Sequence, residues 1–156
     1  MWNLFRKRLP YRVSAKSWLW VTLQFFCLAY LASSAPLLSE TLFGLIPELT
    51  GILIAMAGLL KLNWRSFSVF PEPRPDGKLE TGGIYAFIRH PMYAGILLLF
   101  LVLVIEYPSI LRITALLLLG MVFIIKIRLE EAWLASRYPE FADWSKSSDR
   151  LIPFIW

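Results

Sequence analysis

Four apolar runs separated by polar connections divide the chain: Trp18–Leu38, Leu42–Leu62, Met92–Ile105 and Ile110–Ile127. The first carries no charge and as a helix measures roughly 30 Å, the thickness of a bilayer's hydrocarbon core. Trp18 and Trp20 mark its interfacial end. In the second run, Pro47 and Glu48 stand near the outer end. Pro47 suits a first helical turn, where its missing N–H is not needed, and Gly51, Ala55, Ala57 and Gly58 predict close packing on a neighbouring helix. The third run is about 21 Å long as a helix. Glu106-Tyr107-Pro108-Ser109 separates it from the fourth, which holds Arg112 near its start and Lys126 near its end. The last two runs predict a helical hairpin turning near Pro108, with a second arm that continues through Glu130 and Glu131 to Pro139. The connection from Lys61 to His90 contains the proline-rich stretch Phe70–Gly77, which excludes a regular helix or a central strand. A connection of this length is characteristically functional or disordered.

Composition turns these runs into a membrane prediction. Of 156 residues, 58% are hydrophobic and 17% charged, against about 45–50% apolar and 25% charged in soluble domains. The single cysteine, Cys27, excludes an intramolecular disulfide, and no metal cluster is indicated. There is no internal repeat. The net charge of +5 is distributed by side. Five Lys/Arg precede the first run, five lie from Lys61 to Arg89, five from Lys126 onward, and Arg112 is the sixteenth. This is the positive-inside pattern of four spans with both termini in the cytoplasm. The basic balance is therefore a topology signal and a contact for anionic lipid head groups, not a nucleic-acid footprint.

The expected architecture is all-α: one polytopic membrane domain over 1–156 in a bacterial-type inner membrane. Its parts are a basic N-terminus (1–17), spans at 18–38, 42–62, 92–105 and 110–127, and a cytoplasmic tail (128–156). The N-terminal block suits an interfacial segment with Trp2, Leu4 and Phe5 in lipid. A cleaved signal peptide is the rival reading of the first run, since Ser33-Ser34-Ala35 offers small residues. The tail aromatics Trp133, Tyr138, Phe141, Trp144, Phe154 and Trp156 suit a segment lying at the interface.

This topology brings the chemistry-bearing residues to one depth. His90 is the only histidine, Arg89 precedes it, and Pro91 is placed to open the third helix. The free N–H groups and partial positive charge of that helix end, beside Arg89 and His90, favour an anion such as a carboxylate or phosphate. Glu130 and Glu131 offer the opposite sign, for an ammonium or ribose hydroxyls. Each residue also has a plain reading. Arg89 can touch lipid phosphate and His90 can cap a helix. Glu130 and Glu131 can pair along the helix with Lys126 and Arg128, worth about 0.2–0.5 kcal/mol each.

Gly83-Ile84-Tyr85, Arg89-His90-Pro91-Met92-Tyr93-Ala94-Gly95, Lys126-x-x-x-Glu130-Glu131-x-x-Leu134, then Tyr138, Phe141, Trp144 and Arg150-Leu151-Ile152-Pro153 together resemble the isoprenylcysteine carboxyl methyltransferase and phospholipid methyltransferase superfamily. The resemblance covers Phe70 to Pro153. Ile84, where proline is frequent, and Tyr138-Pro139, where an aromatic is followed by glycine, depart from the pattern. The resemblance implies S-adenosylmethionine as cofactor, enclosed by the cytoplasmic ends of the last two helices and the tail. It places Tyr85, His90, Pro91, Tyr93, Gly95, Glu130 and Glu131 at the cofactor, and Arg89 with Glu131 in catalysis. The acceptor implied is a lipid or other hydrophobic molecule presenting a carboxylate, amine or thiol. A carboxylate needs no base, and Arg89 or Arg150 can orient it. An amine or thiol needs a base such as His90, Tyr93 or a glutamate. Two other readings stay open: a membrane reductase of the sterol-reductase type using a nicotinamide dinucleotide, and a non-catalytic membrane protein that binds anionic lipid.

Overall fold

The computed structural model describes residues 13–62 and 66–152. The expected interfacial segment around Trp2, Leu4 and Phe5, and the tail residues Pro153, Phe154 and Trp156, lie outside the described residues. Those described form five α-helices: α1 (Ala15–Ser34), α2 (Leu42–Lys61), α3 (Pro91–Glu106), α4 (Ile110–Arg137) and α5 (Phe141–Ser147). A single 3-10 turn, Gly83–Ala86, precedes α3, and among the described residues there is no strand beyond one isolated parallel bridge between Ile88 and Asp149.

Hydroxyl caps set three of the helix starts. Ser14, Thr41 and Ser109 accept from the backbone N–H of Ser17, Gly44 and Arg112, satisfying donors that the first turn leaves open. The Thr41 cap starts α2 at Leu42, so Pro47 lies one turn inside the helix rather than in its first turn. Helix α3 has no side-chain cap and opens on Pro91, as expected. The predicted hairpin turns at Tyr107–Ser109. Its second arm, about 42 Å long, runs well past Ile127, where the continuous apolar run ends, and carries Glu130 and Glu131.

Among the described residues, α2 and α4 are the two helices long and apolar enough to cross a membrane; α3 is apolar but has only 16 residues. Helix α1 is 20 residues long, with Ser17 and Gln24 buried in the bundle. The helices pack mainly as two pairs, α2 on α3 and α1 on α4, joined where α3 meets α4. Cys27, Leu31, Phe100, Leu103, Leu119 and Phe123 form the core between them. At the end opposite the candidate site, buried Glu48 accepts from the Ser39 N–H, and Glu106 accepts from the hydroxyls of Ser39 and Thr41. There Arg112 donates to the Ser34 hydroxyl and to the Ser34 and Tyr107 carbonyls, closing the ends of α1 and α3.

The α2–α3 seam is closed by small residues, as the sequence predicted. A Cβ built on Gly95 would stand 2.3 Å from the Gly51 carbonyl oxygen and 2.7 Å from the Ala55 nitrogen. One on Gly58 would stand 2.7 Å from the Pro91 ring. Both backbones at the Gly95 contact are helical and cannot yield locally. Gly95→Ala is therefore expected to cost about 1–3 kcal/mol by forcing the seam apart. Nothing lies within 4 Å of a Cβ on Gly120, so Gly120→Ala is expected to leave stability unchanged or raise it by up to about 1 kcal/mol. Thermal unfolding of both variants in detergent checks the pair; equal shifts would refute the close seam.

Candidate functional site

The tight α2–α3 seam and the α3–α4 contact bring the start of α3 against the last polar third of α4. A cleft opens there, enclosing about 800 Å³ of space that is partly open to solvent. One wall is largely apolar, from Leu62, Phe70, Pro71, Pro73 and Met92, with Ser66, Ser68, Lys78 and Glu80 of the same connection also on the lining. The other carries Tyr85, Arg89, His90, Tyr93 and Glu130, closed by Leu134, Tyr138 and Trp144.

The polar wall is built on one buried carboxylate. Glu131 Oε1 accepts from Arg89 Nε at 2.8 Å, and Oε2 accepts from Arg150 Nε at 2.9 Å. His90 Nε2 lies 3.4 Å from Glu131 Oε1, and His90 Nδ1 lies 3.4 Å from Glu130 Oε2. Glu130 Oε1 accepts from the Tyr93 hydroxyl at 2.5 Å. The Tyr93 ring is parallel to the His90 imidazole, with centroids 5.7 Å apart, and stacks on Phe123 at 4.4 Å. The expected helix-surface pairing of the two glutamates with Lys126 and Arg128 is replaced for Glu131 by contacts far apart in sequence. Lys126 itself turns toward α1, to Gln24, and to the Val69 carbonyl.

These contacts shift the pKa values of the site. Burial works against a charge on His90, but hydrogen bonding and the negative charges of Glu130 and Glu131 outweigh it and raise its pKa. Burial likewise opposes the Glu131 charge, yet hydrogen bonds from His90, Arg89 and Arg150 hold it down at about 2. Burial first, and then the neighbouring charges of Glu130 and Glu80, push the Tyr85 phenol well above its ordinary range.

The remaining Arg89 donors fasten the tail. One of its guanidinium Nη atoms donates to the carbonyls of Ser145 and Ser148. Backbone bonds from Arg89 N to Asp149 O, His90 N to Arg150 O and Asp149 N to Phe87 O complete the clasp. It folds α5 back over the cleft, where Trp144 Nε1 donates to the Tyr85 carbonyl. Tyr138 donates to the Gly77 carbonyl at 2.6 Å. The interface-lying reading of the tail aromatics thus does not hold for Tyr138 and Trp144, which turn onto the cleft, or for Phe141, which is buried; Trp133 stays exposed.

Of the residues singled out from sequence, Tyr85, Arg89, His90, Pro91, Tyr93 and Glu130 line the cleft. Glu131 stands behind it as the hub of the ion pairs. Gly95 faces α2 in the seam, away from the cleft, because a glycine there is what lets the backbones meet. Sequence reasoning missed Gln24 and the apolar wall. Gln24 had a legible signal: it and Lys126 are lone strongly polar residues inside apolar runs, and such residues tend to find one another.

The fold and cleft define a class: an all-helical, membrane-associated protein with an amphipathic ligand cleft at one end of its bundle. The family model for phospholipid methyltransferases matches residues 39–140, well over half of the chain. The protein belongs to the phospholipid methyltransferase family. That membership makes it a methyltransferase acting on a lipid-related substrate, in place of the reductase and scaffold readings. No curated protein matches the chain.

The two shifted groups act on stability in opposite directions of pH. The raised His90 pKa contributes stability that is complete below its ordinary value of 6.5 and is lost as pH rises through the raised value. The lowered Glu131 pKa contributes stability that is complete above 4.5 and is lost as pH falls toward about 2. Thermal stability is therefore expected to decline on the alkaline side, and His90→Asn to flatten that decline. A wild-type minus variant difference that is constant with pH would refute the assignment.

Proposed function

We propose that this protein transfers a methyl group from S-adenosylmethionine to a lipidic acceptor at the cytoplasmic face of a bacterial-type inner membrane. The observation that carries the reading is the cleft, which sets Glu130 and His90 against a largely apolar and aromatic wall. A zwitterionic sulfonium with an aromatic base needs these groups together. His90, held between Glu130 and Glu131, brings favourable positive potential to the cleft for an incoming carboxylate. Glu130 faces the cleft and is suited to an ammonium or ribose hydroxyls. Trp144, Tyr138 and Phe70 offer flat apolar surface for a purine. When bound, S-adenosylmethionine supplies a methyl group activated on a sulfonium.

What the chain contributes is alignment and exclusion of water. Tyr93 holds Glu130 by its hydroxyl, and the tail clasp keeps Trp144 over the cleft. Arg89 and Glu131 act as positioning residues: Arg89 donates to Glu131 and to the tail carbonyls, and Glu131 accepts from Arg89 and Arg150. An amine acceptor would give up its proton to Glu130, whereas a carboxylate acceptor needs no base. The apolar wall of Leu62, Phe70 and Met92 suits the acceptor's hydrocarbon.

In the membrane, α1 and α3 complete four spans with both termini cytoplasmic. Fifteen of the sixteen Lys/Arg then fall on the cleft side, with Arg112 the exception. The test is calorimetry with purified protein. S-adenosylmethionine is expected to bind, and His90→Ala or Glu130→Ala to weaken binding at least tenfold, about 1.4 kcal/mol. Transfer of labelled methyl into a lipid extract should fall in the same variants. Absence of binding by the intact protein would overturn the proposal.

A further inference from the structure

Lys126 is one of the most deeply buried side chains in the protein, at 1% exposure. It stands one helical turn before Glu130 on α4. At that spacing a lysine and a glutamate ordinarily pair along the helix surface. Here the ammonium stays within electrostatic reach of Glu130 but forms no ion pair with it. It donates to Gln24 Oε1 of α1 at 2.6 Å and to the Val69 carbonyl of the 66–80 connection at 2.9 Å. It also lies 5.1 Å from the centre of the Tyr93 ring, the ring whose hydroxyl binds Glu130. A buried ammonium needs all of its donors engaged, and two acceptors and an aromatic face achieve that without the carboxylate.

We propose that Gln24 and Lys126 form a positioning pair, in which Gln24 holds the Lys126 ammonium away from Glu130 and so leaves that carboxylate to Tyr93 and to a ligand in the cleft. The inference rests on the S-adenosylmethionine reading for its ligand but not for its geometry. Freed from Gln24, the ammonium can swing along α4 to its i+4 neighbour. Glu130 would then be neutralised by its own helix, and both His90 and the cleft would lose its charge. The pair also ties one wall of the cleft, through Val69, to the α1–α4 side of the bundle.

Two readouts test this on the full-length protein in detergent. His90 is the only histidine, so the imidazole titration seen by NMR in ligand-free protein reports on one site. His90 faces Glu130, Glu131, Arg89 and Tyr93 there, and only the Glu130 charge is altered by the swing. Gln24→Met is expected to lower the His90 pKa and to weaken S-adenosylmethionine binding about tenfold. Gln24→Glu, which still accepts from the ammonium, is expected to preserve both. Leu119→Ala, a core change two turns back on α4, is expected to lower the melting temperature while leaving both readouts in place. If Gln24→Met does not fold, Gln24→Asn, a methylene short of the ammonium, makes the same test. An unchanged titration and affinity in the releasing variant would overturn the positioning pair. A shifted titration in a protein that binds no S-adenosylmethionine, wild type included, would overturn the cofactor reading and leave the pair standing.

Discussion

A carboxylate buried in a protein must be neutralised on the spot, and Glu131 is neutralised from three directions at once. Arg89 and His90 reach it from the segment before α3, and Arg150 from the tail, at 2.8, 3.4 and 2.9 Å respectively. Removing Glu131 would leave the buried Arg89 guanidinium without its carboxylate, a strongly destabilising change. The constraint therefore works as a three-way joint among α4, the α3 entrance and the chain beyond α5. Because Arg89 also donates to the Ser145 and Ser148 carbonyls, the joint brings the tail back across the mouth of the bundle. The cleft exists because the tail is held there.

The rest of the bundle supports that joint. Pro91 and Gly95 are pressed against Gly58, Gly51 and Ala55, which sets the depth at which α3 begins and hence where His90 sits. The apolar wall follows α2 in sequence, yet it hangs largely from the other helix pair. Glu72 accepts from Ser14 and Ser17 at the start of α1, Lys126 holds the Val69 carbonyl, and Arg137 and Tyr138 hold the carbonyls of Arg74, Pro75 and Gly77. A connection barred from regular structure by its prolines is thereby given a shape through side chains from elsewhere. Both walls of the cleft consequently depend on α4, and a disturbance of that helix is felt by each.

The legible parts of this protein are those governed by local physics. Apolar runs located α1 to α4 to within a few residues, and the glycines of α2 announced a close neighbour. Arg89-His90-Pro91 and Glu130-Glu131 were recognisable as the two halves of a polar site. The reading went astray where two explanations share one residue pattern. Gly95 sits in the same motif as His90 and Tyr93, but on a helix it points one turn away, into the seam. Tyr138 and Trp144 have the amphipathic character of membrane anchors, and that character serves equally well to close a cleft. Pro47 fell inside its helix because the cap at Thr41 lies further upstream than the proline's own preference indicates.

The sequence by itself determined the all-helical, membrane-directed architecture and the two motifs that meet at the site. Apolar run length and short motifs act over a few residues and need no partner to be read. Only the tertiary structure decided which charges face the cleft and which face one another. Adjacent in sequence, Glu130 and Glu131 point about 100° apart around α4. One turns to Tyr93 and the cleft, while the other meets Arg89 and Arg150, residues brought from 42 and 19 positions away. That division depends on helix phase and on long-range ion pairing, and neither exists until the bundle has closed.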